Sequence, residues 1–254
     1  MIRWAGLATA CLLLSAVAGA GGCGGDDSGE GGEVIVSAAA SLEPAFTAYA
    51  ERAGFDAKQS FAGSDELAAQ IREGVKPDVY AAANTALPDE LHAEGLVAQP
   101  VVFASNRLVV AVPAGSGAVR SIDDLRSEGV TLAIGDEGVP VGDYTREVLA
   151  RLPDGAAILA NVRSQEPDVS GIVGKLTQGA VDAGFVYATD VTAIGGQLDA
   201  IELPSVVQPE VAYGATVVED ADHPQQARDF IHGLLSGPGE EALREAGFGP
   251  PPAG

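Results

Sequence analysis

The chain has 254 residues, with 14 Lys and Arg against 36 Asp and Glu and a formal net charge of −22 at pH 7. So acidic a balance excludes nucleic acid as a partner, because binding phosphates needs a basic footprint. The length suits one large or two modest domains.

At the N-terminus Arg3 precedes an uncharged stretch, residues 4–20, followed by the small residues Gly21 and Gly22. This pattern reads as a secretory signal. Its seventeen uncharged residues, rich in Ala and Gly, fall short of the ~20 strongly apolar residues a membrane span needs. Cys23 follows directly, and the segment resembles bacterial lipoprotein signals, with Ala20 where Leu or Val is more usual. That resemblance implies a signal over residues 1–22, lipid on Cys23 and an extracytoplasmic protein anchored to the cell membrane. Residues 24–33 contain only Gly, Asp, Ser and Glu. Such a run cannot bury apolar area, so residues 23–33 are expected to form a disordered tether with a reach of about 16–19 Å. Cys11 falls within the signal, so the mature chain has no intramolecular disulfide and its cysteine count says nothing of redox compartment. Removing residues 1–22 deletes Arg3 and no acid, leaving 13 basic and 36 acidic groups, or −23.

From Val34 onward strand-like and helix-like segments alternate. Val34–Ala39 is an apolar run, followed by Ser41 and a helical stretch to Ala53. Residues 55–61 read as a strand and 64–73 as a helix with Leu67, Ala68 and Ile71 on one face. Val79–Ala82 is a short buried strand, and residues 101–112 hold two β-rich runs broken at Ser105-Asn106-Arg107. Ser121 with Asp124 forms a capping signature. Strands are expected at 130–135, 183–187 and 211–218, and helices at 142–152, 168–178, 224–235 and 239–246. This alternation predicts an α/β architecture of mainly parallel sheets flanked by helices. Residues 101–112 are long enough to leave one sheet and enter another, and residues 206–213 offer a return crossing. Two lobes, 34–106 with 211–254 and 107–210, would then enclose a ligand cleft.

Enzyme signatures are absent: there is no G-x-S-x-G, H-E-x-x-H, C-x-x-C or Walker loop. His92, His223 and His232 lie in polar helical surroundings and read as surface or helix-end residues. What recurs is a strand running into a helix through small or hydroxyl residues. Examples are Ala38-Ala39-Ala40-Ser41-Leu42, Phe61-Ala62-Gly63-Ser64, the stretch from Gly135 to Tyr144, and Pro167-Asp168-Val169. Singly, Ser41 or Ser64 reads as an N-cap worth about 1 kcal/mol. Together the four junctions supply helix N-termini, whose unpaired N–H groups and partial positive charge suit an anion. Burying a bare dianion would cost tens of kcal/mol, so about six or seven donors returning roughly 1.5–3 kcal/mol each must converge on it.

At these residues the chain resembles the periplasmic molybdate-binding proteins of ABC importers. The resemblance runs from Val34 to Phe248 through A-A-A-S-L at 38–42 and F-A-G-S…L-A-A-Q-I-R-E-G-V-K-P-D-V at 61–79. It continues through S-N-R-L-V-V-A-V-P at 105–113, I-G-D-E-G-V-P-V-G-D-Y at 134–144 and A-G-F-V-Y-A-T-D at 183–190. It implies a two-lobed, hinge-closing periplasmic-binding-protein fold with molybdate or tungstate held as the oxyanion between the lobes. It also implies delivery to an ABC permease, a monomer, and neither a cofactor nor a catalytic residue. Residue by residue, it assigns hydroxyl and backbone donors to Ser41 and Ser64, backbone donors to Val141 and Val169, and a phenol donor to Tyr187. Val141 stands where alanine is usual, which narrows the cavity. Asp65 and Glu66 stand where uncharged residues are familiar and are expected to face solvent. The competing readings are a receptor for sulfate, phosphate or ferric ion, a secreted hydrolase using Ser41 or Ser64, and a purely structural surface lipoprotein. The hydrolase lacks a histidine in a supporting motif.

Overall fold

A computed structural model describes residues 32–252. The expected signal, Cys23 and most of the tether lie outside the described residues. Among the described residues twenty-one short elements alternate, and their strands divide between two five-stranded sheets.

The first sheet has the order β2-β1-β3-β10-β4. It is built from β1 (Val34–Ala39), β2 (Ala57–Ala62), β3 (Val79–Ala82), β4 (Val101–Asn106) and β10 (Val211–Val217). The second has the order β7-β6-β8-β5-β9. Its strands are β5 (Leu108–Pro113), β6 (Leu132–Gly135), β7 (Val162–Glu166), β8 (Ala183–Tyr187) and β9 (Leu198–Glu202). In each sheet the neighbouring pairs around the parallel core, β2-β1-β3 and β7-β6-β8, run in one direction. One strand of each, β10 and β5, is antiparallel to both of its neighbours. The reversed strand is the one that enters from the other sheet. Four of the five strands in each sheet thus run one way, while two of its four neighbouring pairs are parallel and two antiparallel, so each sheet is mixed where the alternation predicts a mainly parallel one.

The chain crosses between the sheets twice. The first crossing is the single residue Arg107, between β4 and β5. The second spans residues 203–210 rather than 206–213, because Tyr213 pairs with Ala104 inside β10. Pro204 and Pro209 remove ladder donors from the crossing and keep it out of either sheet. The amide of Gln208 ties the crossings together, donating to Leu108 O at 3.1 Å and accepting from Leu108 N at 2.8 Å.

Helices α1 (Glu43–Ala53), α2 (Ser64–Arg72), α3 (Ala86–Ala93), α8 (Pro224–Leu235) and α9 (Pro238–Glu245) accompany the first sheet. The second carries α4 (Pro140–Arg151), α5 (Gly155–Leu159), α6 (Val169–Thr177) and α7 (Ala188–Ala193). With helices on both faces, a central strand has no solvent side, and β3 shows the result. Val79 and Ala81 enter one apolar cluster while Tyr80 and Ala82 enter another, all fully buried. Aromatic rings concentrate in the first lobe, where Phe46, Tyr49, Phe55 and Phe230 pack with centroids 4.7–5.5 Å apart. The second lobe packs aliphatic residues such as Val110, Leu132, Val148 and Ile172 around Phe185.

Candidate functional site

In parallel strands every carboxyl end points the same way, and an open α/β sheet leaves a crevice outside those ends. Here the carboxyl ends of both sheets line one shared cavity. Its walls come from residues that follow six strands: Ala39 to Ser41 after β1, Ala62 to Ser64 after β2 and Ala83 after β3. From the second lobe come Val139 to Val141 after β6, Asp168 and Val169 after β7, and Tyr187 ending β8. The volume open to the centre of a water-sized sphere is about 20 Å³. About 10–15 Å³ on that measure holds one water, so the cavity suits a small ion rather than an organic molecule. A cavity of about 500 Å³ between β10 and α8 is larger, but it shares no residue with the cavity at the strand ends.

All five residues singled out in the sequence, Ser41, Ser64, Val141, Val169 and Tyr187, line the small cavity and are buried. Neither serine is an N-cap. Ser41 lies in a 3₁₀ turn, Ala40–Leu42, ahead of α1, whose N-cap position is Leu42. Ser64 is the first residue of α2, and Gly63 holds the cap position without a side chain. Their hydroxyls are therefore free of helix capping. The Oγ of Ser64 accepts from Ala83 N–H at 3.1 Å, which leaves its own proton for the cavity. Ser41 Oγ lies 3.0 Å from Tyr213 Oη.

Val141 occupies the first turn of α4, with Pro140 fixing the backbone at the helix start. The close approach of that turn to β6 depends on two glycines. A Cβ on Gly142 would strike the carbonyl oxygens of Gly135 and Asp136, and one on Gly135 would meet Val141 Cγ1 at 2.8 Å. One methyl of Val141 thus leans on the end of β6. Val169 opens α6, and the N-cap Asp168 is held by Gly171 N–H donating to Oδ1 at 2.9 Å. The first-turn N–H groups of α2, α4 and α6 have no acceptor within their own helices, and all three helix starts open on the cavity.

Tyr187 Oη is buried and has no hydrogen-bond partner among the described residues. Desolvation holds the phenol well above its ordinary pKa, aided by the neighbouring Tyr213 and Tyr144; it is a neutral donor. An unpartnered buried hydroxyl costs about 1–3 kcal/mol, a cost that a bound acceptor removes. No Lys or Arg lines the cavity. Its chemistry is that of many neutral donors and helix N-termini, which favours a compact anion rich in oxygen.

Two acids modify this picture. Glu66 is exposed and accepts from Gln70 at 3.1 Å. Asp65, expected to face solvent, is half-buried, and its Oδ1 is enclosed without a partner. The cause is the contact between the lobes. A Cβ on Gly63 would meet Asp65 Oδ1 at 2.9 Å and would overlap the carbonyl oxygen of Pro167 from the second lobe. The start of α2 is thereby covered. Burial pushes the Asp65 carboxyl up, and like charge from Glu66 and Asp143 adds to it. Asp190 is buried below Tyr187, accepting Tyr187 N–H at 2.8 Å. Desolvation raises its pKa to about 7; the Tyr187 N–H opposes the shift and Asp168 adds to it. The sequence reading overlooked Asp190 and Tyr213, neither of which sits in the cavity wall.

The profile of the bacterial extracellular solute-binding proteins matches residues 34–249. The molybdate-binding protein ModA of Mycobacterium tuberculosis is 32% identical over 265 aligned positions, spanning 98% of this chain and 100% of the relative. The periplasmic molybdate-binding protein of Azotobacter vinelandii superposes with a TM-score of 0.76 at 21% identity, covering 86% of this chain and 100% of that one. The sulfate-binding protein SubI of Mycobacterium tuberculosis superposes equally well, TM-score 0.76, at 16% identity and 86% coverage of each chain. The fold is common to binders of both anions and does not by itself choose between them.

Proposed function

Because the chain belongs to the bacterial extracellular solute-binding proteins, we propose that it captures molybdate or tungstate outside the cytoplasm and delivers it to an ABC permease. The observation that carries this reading is the cavity itself: six strand ends from two lobes, no cation, and a buried phenol lacking an acceptor. The near-full-length similarity to a molybdate-binding protein supports the choice of anion.

Capture follows from the geometry. Ser41, Ser64 and Tyr187 donate hydroxyl protons, and the N–H groups at the starts of α2, α4 and α6 supply the rest. Each charge-assisted bond returns roughly 1.5–3 kcal/mol, and together they replace the hydration shell. Donors without formal charge hold the dianion while leaving no ion pair to break on release. The residues close by do not favour the other chemistries. A serine hydrolase needs a base, and no histidine lines the cavity; His92 engages Val97 O and His223 engages Asp78. A ferric site built on tyrosines wants carboxylate or His ligands beside them, but no His or Glu lines the cavity, and the acid in its wall, Asp168, is taken up in capping α6. The protein acts by binding alone, as a monomer and without a cofactor.

Lipid on Cys23 would keep the domain at the membrane face; no described helix is long and apolar enough to span a bilayer. Mass spectrometry of membrane-extracted protein should find a diacylated cysteine as the first residue, and an unmodified chain starting elsewhere would remove the anchor from the account. For the ligand, calorimetric titration of residues 24–254 should give tight one-to-one binding of molybdate and tungstate, with sulfate and phosphate at least about a hundredfold weaker, or about 2.7 kcal/mol. Sulfate binding as tightly as molybdate would replace the proposed ligand while leaving the cleft intact.

A further inference from the structure

One buried polar group stands behind the cavity wall, unused by capture as described. It is the phenol of Tyr213 in β10, fully buried, with its Oη 3.0 Å from Ser41 Oγ and 3.4 Å from Asn106 Nδ2. Asn106 ends β4, one residue before the first crossing. Its amide orientation is set on two sides: Arg107 N–H donates to Oδ1 at 2.8 Å, and Nδ2 donates to Thr189 Oγ1 at 2.9 Å. An amide nitrogen only donates, so the Tyr213 oxygen accepts from Asn106. Desolvation holds the Tyr213 phenol well above its ordinary pKa, so it keeps its single proton. Among its partners only Ser41 Oγ can accept that proton. Ser41 therefore accepts from Tyr213, and its own proton stays available to the cavity. In the reverse arrangement the Ser41 proton would turn to Tyr213, leaving lone pairs to meet the anion. Ser64 reaches the same donor state by a shorter route, because its acceptor role is filled by a backbone N–H.

We propose that Tyr213 is a positioning residue for anion capture, holding Ser41 as a donor through the relay Asn106–Tyr213–Ser41. The proposal rests on the oxyanion reading of the cleft and assigns a task to two residues outside its wall. The relay begins at the crossing between the lobes, so the donor state of Ser41 depends on the local geometry of that crossing.

Asn106→Asp tests the direction of the relay, because it exchanges a donor for an acceptor of the same shape. Tyr213 then turns its proton to the new carboxylate and accepts from Ser41. Molybdate binding to this variant should weaken at least about tenfold, as expected for loss of one charge-assisted hydrogen bond. Adding Tyr213→Phe should recover most of that loss, because Ser41 then has no phenol to donate to. In a Ser41→Ala background, Asn106→Asp should cost only what charge repulsion costs, at least about threefold less than in the native protein. The introduced charge also repels the anion, but that repulsion persists in every background and cannot produce the recovery. A loss of equal size with Tyr213→Phe or Ser41→Ala present would overturn the relay. Should Asn106→Asp fail to fold, Tyr213→Phe decides alone: it should weaken molybdate binding about threefold, because Ser41 loses the partner that orients its proton, and that loss must vanish in Ser41→Ala; no loss, or an undiminished one, overturns the proposal. Absence of any oxyanion binding by the native protein would instead sink the reading of the cleft itself.

Discussion

At the scale of single residues, oxyanion capture depends most directly on the hydroxyls of Ser41 and Ser64, as proposed above. Ser41→Ala and Ser64→Ala each remove one hydroxyl donor and keep the backbone N–H. Titration should show affinity reduced by roughly 1.5–3 kcal/mol, about ten- to a hundredfold. Because neither serine caps a helix, any loss of stability should come from the partner left behind: Ser64→Ala orphans the buried Ala83 N–H, at about 1–3 kcal/mol. Val141→Ala retains its N–H and removes methyls, one of which packs on Gly135. It should alter affinity by less than about tenfold, in favour of larger anions. Asp190 gives a pH signature. With a native pKa of about 7, it holds a proton that the unfolded chain releases near its ordinary value of ~4. The stability linked to that proton is complete below the unfolded value, falls as pH rises toward 7, and is lost above it. Asp190→Asn should therefore raise the melting temperature relative to the native protein more at pH 8 than at pH 5, by about 2–4 °C for each kcal/mol. An equal difference at both pH values would show that Asp190 is not held neutral. Ser41, Ser64, Val141 and Val169 could be found in the sequence because each belongs to a strand-to-helix turn string, whereas Tyr187 came only from the resemblance to the molybdate-binding proteins. Tyr213 could not be found, because its role depends on Ser41, 172 positions away.

At the scale of elements, the cavity exists only while the start of α2 meets the loop before α6. Gly63 makes that contact possible, its α-carbon lying against Pro167 O from the second lobe. Its backbone, at φ −58°, suits any residue, so the restriction is steric and lies between the lobes. Gly63→Ala should leave each lobe folded, lower affinity at least about tenfold, and abolish ligand-induced compaction in small-angle scattering. Compaction equal to the native protein's would show that this contact is not part of closure. The long amphipathic helices and the apolar strands of the sheet centres were readable from periodicity, and Pro224–Leu235 and Val79–Ala82 agree to the residue. Five elements were not: α3, α5, β7, α7 and β9. The strand β7 is Val-Arg-Ser-Gln-Glu at a sheet edge, and β9 is Leu-Asp-Ala-Ile-Glu at the other. Edge strands bury little, so their sequences carry little apolar signal. The short α5 and α7, of five and six residues, fall below the length at which a helical period can be recognised.

At the scale of the whole molecule, a net charge of −22 opposes the arrival of a dianion. Screening weakens that repulsion as ionic strength rises, since the Debye length shrinks from about 30 Å at 0.01 M to about 10 Å at 0.1 M. The association rate for molybdate should accordingly increase with salt, the reverse of electrostatic steering. Stopped-flow tyrosine emission can follow it on residues 24–254, because the single tryptophan, Trp4, lies outside that range. A rate that falls with salt would mean that a local positive field outweighs the global charge. The short-range task of overcoming the repulsion belongs to the donors that line the cleft. Their convergence is the central claim, and it is tested most directly by locating the metal. Anomalous diffraction at the molybdenum edge, on crystals of the loaded protein, should place one molybdenum inside the cavity bounded by Ser41, Ser64, Val141, Val169 and Tyr187. Four oxygens should surround it, with no protein atom bonded to the metal. A molybdenum peak outside that cavity, or one bonded directly to a side chain, would contradict the account.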